Sequence, residues 1–397
     1  MTRVANAGEA VTDIAARLAD RNRVCQEFFA REANGLAELS RKMAERFLLG
    51  GRLLAFGRGP YSTDAQHVSV EFVHPVIVGK RALPALDLSA LFGPWLRAIL
   101  RPEDIVMGFA APEGDPEVDT ALHEAHARGA LTVALPGTEG DYFCRPATLD
   151  PFVHQEVVET LYHTLWETVH VFLERRELGL DSGAASFLYP YLGQQKQDTA
   201  ELIPEVAASI LMKVGDDAKL RTHMAEACSI DIASTSAAIA ERVARGGKLI
   251  LFGNGGSATD ANDWAFDCVL PPAGFHPVPA VSLAMEPANI TAVANDVGTE
   301  LIFLRQLIAQ ARPEDVAIAF STSGGSRNIV MALEEARKRK LLTVALLGYD
   351  GGEIRRRGLA DFSLVVPCDY IPRIQEVQAS VYHLIRENLE WIAYGHA

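Results

Sequence analysis

The chain contains two copies of one domain, and this duplication limits its fold more than any other feature of the sequence. Residues 50–57 match residues 246–253 at an offset of 196. The tetrapeptide Arg-Pro-Glu-Asp at 101–104 recurs at 312–315, offset by 211, and Gln-Glu-Val at 155–157 recurs at 375–377, offset by 220. Because the offset only grows along the chain, the matches are collinear and indicate a tandem repeat with insertions in the second copy, chiefly around 286–310.

Each copy shows the same order of predicted elements. A helical lead-in ends at a Gly-Gly pair, and short apolar strands then alternate with helices up to a long closing helix. The predicted strands are 53–56, 105–110 and 131–135 in the first copy and 249–252, 316–320 and 341–347 in the second. This pattern is typical of a parallel sheet covered on both faces. We therefore expect an α/β protein with two flavodoxin-like, three-layer α/β/α domains at 1–178 and 200–397, joined by a linker at 179–199.

Composition excludes several classes of function. The formal net charge is −14, which opposes a general role in binding nucleic acids or anionic membranes. No apolar run approaches the length of a membrane span, and the first 20 residues lack a signal-peptide pattern. The five cysteines are scattered and form no Cys-x-x-Cys motif, which fits reduced thiols in the cytoplasm. The expected partner is thus a small molecule bound at a local site.

The second copy carries two turns suited to phosphate. Gly253-Asn254-Gly255-Gly256-Ser257 follows a predicted strand and opens a helix, and the segment 321–326, Ser-Thr-Ser-Gly-Gly-Ser, takes the same position after a later strand. A tight connection would explain the first turn and a helix N-cap the second. Together they favour an anion held by backbone N–H groups and hydroxyls, without lysine or arginine.

Residues 246–390 resemble the SIS (sugar isomerase) domain family, and within it the phosphoheptose isomerases. The resemblance rests on GGKLILFGNGGSATDA from Gly246, VAND from Val293, STSGGS from Ser321 and RIQEVQASVYH from Arg373. It implies that the phosphate is held by the two turns and that an Asn-Asp pair lies near the sugar. These residues are Asn254, Gly255, Gly256, Ser257, Ser321, Thr322, Ser323 and Ser326, with Asn295, Asp296 and Gln375 beside the sugar.

The same resemblance implies a divalent metal, taken as Zn²⁺, held by His and Glu four residues apart on one helix and by Gln and His eight apart on another. Such spacings place each pair on one helical face. The first copy keeps this set as His67, Glu71, Gln155 and His163. The second copy has Asp263, Asp267, Gln375 and His383, a harder donor set that we expect to bind metal less readily.

The phosphate turns of the first copy have diverged. Pro60 removes a backbone donor from the first turn, and Glu113 and Asp115 bring carboxylates into the second. Phosphate-binding residues thus occur in one copy and the fuller metal set in the other. We predict a composite site in a pseudo-dimer of the two halves, and two chains that rebuild a four-domain assembly. If one domain supplies every group of its site, the first-copy set is instead a separate metal site.

The predicted activity is aldose–ketose isomerisation of a phosphorylated sugar, with sedoheptulose 7-phosphate converted to D-glycero-D-manno-heptose 7-phosphate through an enediol. Glu71 is the first choice for the base and His163 for the acid, and Asp267 with His383 is the corresponding pair in the second copy. A non-catalytic sugar-phosphate binder and an isomerase of another ketose phosphate are the alternatives. His123 and His126, three residues apart on a predicted helix, are interpreted as surface residues.

Overall fold

The computed structural model describes residues 7–76, 80–178 and 202–395, so the predicted linker at 179–199 lies outside the described residues. The first repeat forms a parallel sheet of order β2-β1-β3-β4-β5. Its strands are β1 (Leu53–Gly57), β2 (Ala85–Asp87), β3 (Ile105–Phe109), β4 (Leu131–Leu135) and β5 (Tyr142–Phe143). Its helices are α1 (Ala7–Leu48), α2 (Ser62–Val73), α3 (Phe92–Ile99), α4 (Pro116–Ala127) and α5 (Pro151–Leu178).

The second repeat has the same topology, with parallel strands in the order β7-β6-β8-β9-β10. Its strands are β6 (Leu249–Phe252), β7 (Ala280–Ser282), β8 (Val316–Ser321), β9 (Leu342–Leu347) and β10 (Phe362–Val365). Its helices are α6 (Ile203–Ala244), α7 (Gly256–Val269), α8 (Pro287–Asp296), α9 (Ile302–Gln310), α10 (Arg327–Lys338), α11 (Gly352–Arg356) and α12 (Ile371–Tyr394). The predicted insertion near 286–310 includes α8, which precedes α9 where the first repeat has α3 alone.

Alternate side chains of each central strand enter different cores, which makes each repeat three layers deep. Leu249 and Leu251 lie in the core on one face of the second sheet, whereas Ile250 and Phe252 lie in the core on the other face. Because both faces are covered, the central strands are almost entirely apolar, as is typical of a parallel sheet. The predicted α/β/α fold is confirmed. Within the described residues, no helix has the length and hydropathy needed to cross a membrane.

The two glycines that end each lead-in helix are required for two different physical reasons. Gly246 has a φ of 87° and closes α6 in a Schellman motif, in which Gly247 N–H donates to Arg242 O at 3.0 Å. A Cβ on Gly247 would lie 2.2 Å from Glu314 O, so the second glycine lets the repeated Arg-Pro-Glu-Asp turn approach. Asp315 of that turn accepts the backbone N–H of Lys248 at 3.0 Å. The two most obvious sequence repeats are therefore one structural unit.

The compact units of the structure differ from the predicted domains at the lead-in helices. One unit comprises Met1–Asn22 and Asp217–Ala397, and the other comprises Arg23–Asp216. Helix α1 therefore begins in the unit that holds the second sheet and ends in the unit that holds the first. The reason is apolar packing: Ile14 and Leu18 belong to the core of the second sheet, whereas Val206 and Ile210 of α6 belong to the core of the first.

Replacing Gly253 with alanine is expected to lower the free energy of unfolding by about 1–3 kcal/mol, as overpacking does. Its Cβ would lie 2.1 Å from Ser257 O, so the first anion-binding turn must move. Gly215→Ala is the matched control, because a Cβ at that position in α6 has nothing within 4 Å. We expect that control to stabilise the chain by about 0.5–1 kcal/mol. Equal stabilities of the two variants in urea unfolding would contradict the close approach.

Candidate active site

Two loops at the carboxyl edge of the second sheet form the candidate anion site. The first loop joins β6 to α7, and the second, 321–326, joins the neighbouring strand β8 to α10. Gly255, with a φ of 58°, precedes α7, and Ser326 precedes α10, and neither provides a side-chain cap. The first N–H groups of both helices are therefore left to bind a ligand, at the ends where the helix dipoles favour negative charge.

A reciprocal amide pair joins the first loop to the start of α10, next to the second loop. Asn254 Nδ2 donates to Asn328 Oδ1 at 3.0 Å, and Asn328 Nδ2 donates to Asn254 Oδ1 at 2.8 Å. Within the Ser-rich loop, Ser321 is buried and its Oγ accepts the N–H of Gly324 at 3.1 Å. The loops are thus held together by neutral groups before any anion binds.

The remaining predicted phosphate and sugar residues differ in how exposed they are. Ser257 is buried on the first turn of α7, while Thr322 is half-buried and Ser323 is exposed. Asn295 and Asp296 are exposed at the end of α8, where Asn295 Nδ2 donates to Asp296 Oδ1 at 2.8 Å. Their contact with a sugar stays a prediction.

A buried acid/base cluster lies between α7 and α12 of the same repeat. His383 Nε2 is 3.2 Å from Asp267 Oδ2 and 3.5 Å from Asp263 Oδ2, and Tyr382 O–H donates to Asp263 Oδ2 at 2.7 Å. Burial raises the pKa of Asp267 to about 6; the charge of Asp263 adds to this rise, and the hydrogen bond with His383 opposes it. A carboxyl group with this pKa is suited to moving protons near neutral pH.

The first repeat holds an equivalent cluster with metal-type ligands. His67 Nε2 lies 3.2 Å from His163 Nε2 and 3.9 Å from Glu71 Oε1, and Tyr162 O–H is 3.1 Å from His67 Nδ1. Two nitrogens at about 2.05 Å from a tetrahedral zinc ion are about 3.3 Å apart, which is close to the observed separation. The donor set and its spacing therefore fit a divalent ion.

The two glutamines of the predicted metal sets are both buried. Gln155 Nε2 donates to Asp64 Oδ2 at 3.1 Å, which places its amide at the first turn of α2. Gln375 is 2% exposed, and its Oε1 has no hydrogen-bond donor within the described residues. A buried acceptor of this kind is typical of a group that meets a ligand. The structure brings together the His, Glu and Asp members of the predicted sets.

In the loops of the first repeat, charged side chains pair with one another. Arg58 takes the place of Asn254, and its guanidinium is 3.2 Å from Asp115 and 3.0 Å from Glu117. Asp115, at the position of Ser326, caps α4 by accepting the N–H groups of Glu117 and Val118. A carboxylate thus occupies the helix end that the second repeat leaves uncapped. That the first repeat disfavours phosphate stays a prediction.

Sequence reasoning missed the tyrosines of both clusters. Tyr162 and Tyr382 each precede a cluster histidine, and each contacts the first member of the pair on the facing helix, which is His67 in the first repeat and Asp263 in the second. The sequence did contain a signal for them, because both copies carry the doublet Tyr-His, at 162–163 and at 382–383. Each cluster is thus a group of four side chains on two helices.

Comparisons with known proteins show a family match within the second repeat and structural matches to the whole fold. A family model described as SIS domain matches residues 216–348. A phosphoheptose isomerase of Trichlorobacter lovleyi is 38% identical over 184 residues, which is 45% of this chain and 93% of that protein. The phosphoheptose isomerase of Geobacter sulfurreducens is 42% identical over 163 residues, 40% of this chain and 84% of that protein.

Two solved structures extend over nearly the entire chain. The C-terminal domain of glucosamine-fructose-6-phosphate aminotransferase from Francisella tularensis has a TM-score of 0.62 at 9% identity and covers 95% of this chain and 94% of its own. A putative phosphosugar isomerase from Silicibacter pomeroyi has a TM-score of 0.58 at 13% identity and covers 95% of this chain and 96% of its own. At these identities the likeness shows a shared fold.

Proposed function

Since this chain belongs to the SIS domain family and matches phosphoheptose isomerases over most of their length, we propose that it is an aldose–ketose isomerase of phosphorylated sugars. Sedoheptulose 7-phosphate is the proposed substrate and D-glycero-D-manno-heptose 7-phosphate the product. The observation that carries the proposal is that one compact unit contains both the two uncapped helix ends and the buried Asp267–His383 pair.

The phosphate group is proposed to bind at the N-termini of α7 and α10. Backbone N–H groups and the hydroxyls of Ser257, Thr322, Ser323 and Ser326 supply neutral donors, which suits a chain of net charge −14. At 1.5 Å per residue, Asp263 and Asp267 lie about 10 and 16 Å along α7 from its first residue. The acid/base pair is thus separated from the phosphate turns, which favours reaction at the end of the sugar far from its phosphate.

The proposed chemistry is a proton transfer between adjacent carbons. Asp267, as the carboxylate, takes the proton from C1 of the ketose while the C2 carbonyl oxygen gains a proton from His383, which yields an enediol. Asp267 then returns its proton to C2 while the hydroxyl at C1 gives its proton back to His383, which leaves the aldehyde and restores both side chains. Burial excludes water from the pair, and Tyr382 orients Asp263 beside it. Asp267 and His383 are preferred to Glu71 and His163 because they share a unit with the phosphate loops.

A divalent metal fits the first-repeat cluster. His67, Glu71 and His163 would hold it, since their ligand atoms all lie within 4.8 Å of one another. The ligand atoms of Asp263, Asp267 and His383 also lie within 4.8 Å of one another, but this set has more oxygen donors and is therefore harder. Such an ion, when bound, supplies Lewis acidity toward a sugar oxygen. The composite site, the pseudo-dimer and the four-domain assembly remain predictions.

The test is turnover of sedoheptulose 7-phosphate by the full chain, followed by separation of ketose and aldose products. We expect the heptose phosphate to react faster than fructose 6-phosphate or ribulose 5-phosphate. A parallel assay after chelator treatment reports whether a metal contributes. Absence of isomerised product from every pentose, hexose and heptose phosphate would favour the non-catalytic binder instead.

A further inference from the structure

Arg327 is the first residue of α10 and directly follows the Ser-rich loop. Across the two loops of the anion site, 253–255 and 321–326, and the first turns of the helices that follow them, it is the only ionisable residue. A cation at this end of a helix is unfavourable, because the first N–H groups already carry partial positive charge. A positive side chain beside an uncapped helix N-terminus therefore favours an anion as its neighbour.

The guanidinium of Arg327 has no counterion within the described part of the chain. The residue is exposed, and no hydrogen bond or ion pair joins its side chain to another described residue. The Cα–Cβ bonds of a helix tilt toward its N-terminus, so a side chain at the first position extends toward the preceding loop. The guanidinium is thus available to an anion held by the Ser-rich loop.

The first repeat has the same loops with the charges satisfied internally. Arg58 pairs there with Asp115 at 3.2 Å and with Glu117 at 3.0 Å, both at the start of α4. At the offset of 211, these two carboxylates correspond to Ser326 and Asn328. The second repeat therefore has an arginine at this edge of the sheet but lacks the acids that would neutralise it.

A second side chain of the site also lacks a partner. Ser257, on the first turn of α7, is 5% exposed, and its hydroxyl forms no hydrogen bond with the described residues. Buried polar groups are normally paired, so an unpaired one indicates a group that meets a ligand. The helices that follow two adjacent strands, β6 and β8, thus offer an unpaired cation and an unpaired hydroxyl.

We propose that Arg327 binds the phosphate group of the substrate and makes the site selective for a dianionic phosphate monoester over an uncharged sugar. This inference rests on the proposed function, because the phosphate belongs to the proposed substrate. A guanidinium can donate two parallel N–H groups to phosphate oxygens, and such charge-assisted bonds are stronger than neutral ones. Arg327 adds a cation to a donor set that the sequence predicted to be neutral. Because the residue is exposed, salt weakens the contact.

The experiment is a calorimetric titration of the full chain with inorganic phosphate at low and high KCl concentration. Arg327→Ala is expected to raise the Kd for phosphate by about 10–100-fold, as the loss of a hydrogen bond to a charged group does, and to remove most of the salt dependence. Without phosphate it should unfold at no lower temperature than the wild type. Arg327→Lys keeps the charge and should restore part of the affinity.

Arg312→Ala is the matched control. It removes another exposed arginine of the same repeat, from the turn before β8, whereas the Ser-rich loop follows that strand. The change in net charge is the same, so a general electrostatic effect would appear in both variants. We expect the Kd of Arg312→Ala to equal that of the wild type. The inference is overturned if Arg327→Ala keeps the wild-type Kd, or if the wild type does not bind phosphate.

Turnover of sedoheptulose 7-phosphate separates this inference from the proposed function. Isomerisation by the wild type, with a KM that rises in Arg327→Ala, supports both. An active chain whose KM is unchanged in Arg327→Ala overturns the inference alone. Phosphate binding that depends on Arg327, without isomerised product from any sugar phosphate, overturns the proposed isomerase and leaves the inference standing for a sugar-phosphate binder.

Discussion

Asp267→Asn is expected to reduce kcat by about 10²–10⁴-fold, the usual contribution of a general base, while the chain stays at least as stable as the wild type at pH 7.5. The asparagine keeps the shape of Asp267 and can still accept a hydrogen bond from His383, but it cannot take a proton. The measurement is steady-state isomerisation of sedoheptulose 7-phosphate alongside thermal unfolding.

The stability of this variant depends on pH in a defined direction. Burial and the neighbouring Asp263 raise the folded-state pKa of Asp267 from 3.8 to about 6. The unfolded chain therefore releases this proton at lower pH than the folded chain, and the stability contributed below about pH 4 is lost as the pH rises through about 6. Asparagine does not titrate, so Asp267→Asn should gain stability relative to the wild type across that window, by roughly 3 kcal/mol at most.

Glu71→Gln is the control for Asp267→Asn, because it makes the same kind of change in the equivalent cluster of the first repeat. We expect it to retain most of the turnover. If Glu71→Gln abolishes activity and Asp267→Asn does not, the base lies in the first repeat. Two inactive variants would indicate that the chemistry needs both clusters.

Ser326→Asp is expected to raise KM for the sugar phosphate by at least about 100-fold. It places at the N-terminus of α10 the carboxylate that Asp115 provides to α4. Two like charges about 4 Å apart near a protein surface repel by roughly 4 kcal/mol, which is more than the 2.7 kcal/mol that a 100-fold change represents. The same substitution supplies a helix cap, so the free energy of unfolding should rise by about 0.5–2 kcal/mol.

Ser326→Ala separates the two effects of Ser326→Asp. It removes a hydroxyl without adding charge, so its KM should rise much less and its stability should not increase. Asp115→Ser makes the reverse change in the first repeat; it removes the carboxylate that pairs with Arg58 and should leave KM unaltered. An unchanged KM in Ser326→Asp would place the phosphate elsewhere.

The central strands were predictable and the edge strands were not. The predicted strand at 316–320 corresponds to β8, because six consecutive buried residues are apolar apart from the final serine. By contrast, β2 and β7 have three residues each and β5 has two, and their burial is mixed. Edge strands have few apolar neighbours, so their sequences carry little of the pattern that marks a strand.

The duplication and the residue spacings could be read from the sequence because they are local or repeated. Residues four apart on a helix share a face whatever that helix contacts, so His67 with Glu71 and Asp263 with Asp267 were predictable pairs. The Gly-rich and Ser-rich turns were recognisable for the same reason. These features sufficed to predict the fold of each repeat and a phosphate site in the second.

What only the tertiary structure decided is which groups from distant segments meet. Tyr382 and His383 reach the two aspartates across more than a hundred residues, and Arg58 meets Asp115 in the loops of the first repeat. Helix α1 begins in one compact unit and ends in the other, because apolar side chains at its two ends belong to different cores. Periodicity reports which face of a helix is apolar, but it does not report which core buries that face; packing decides that.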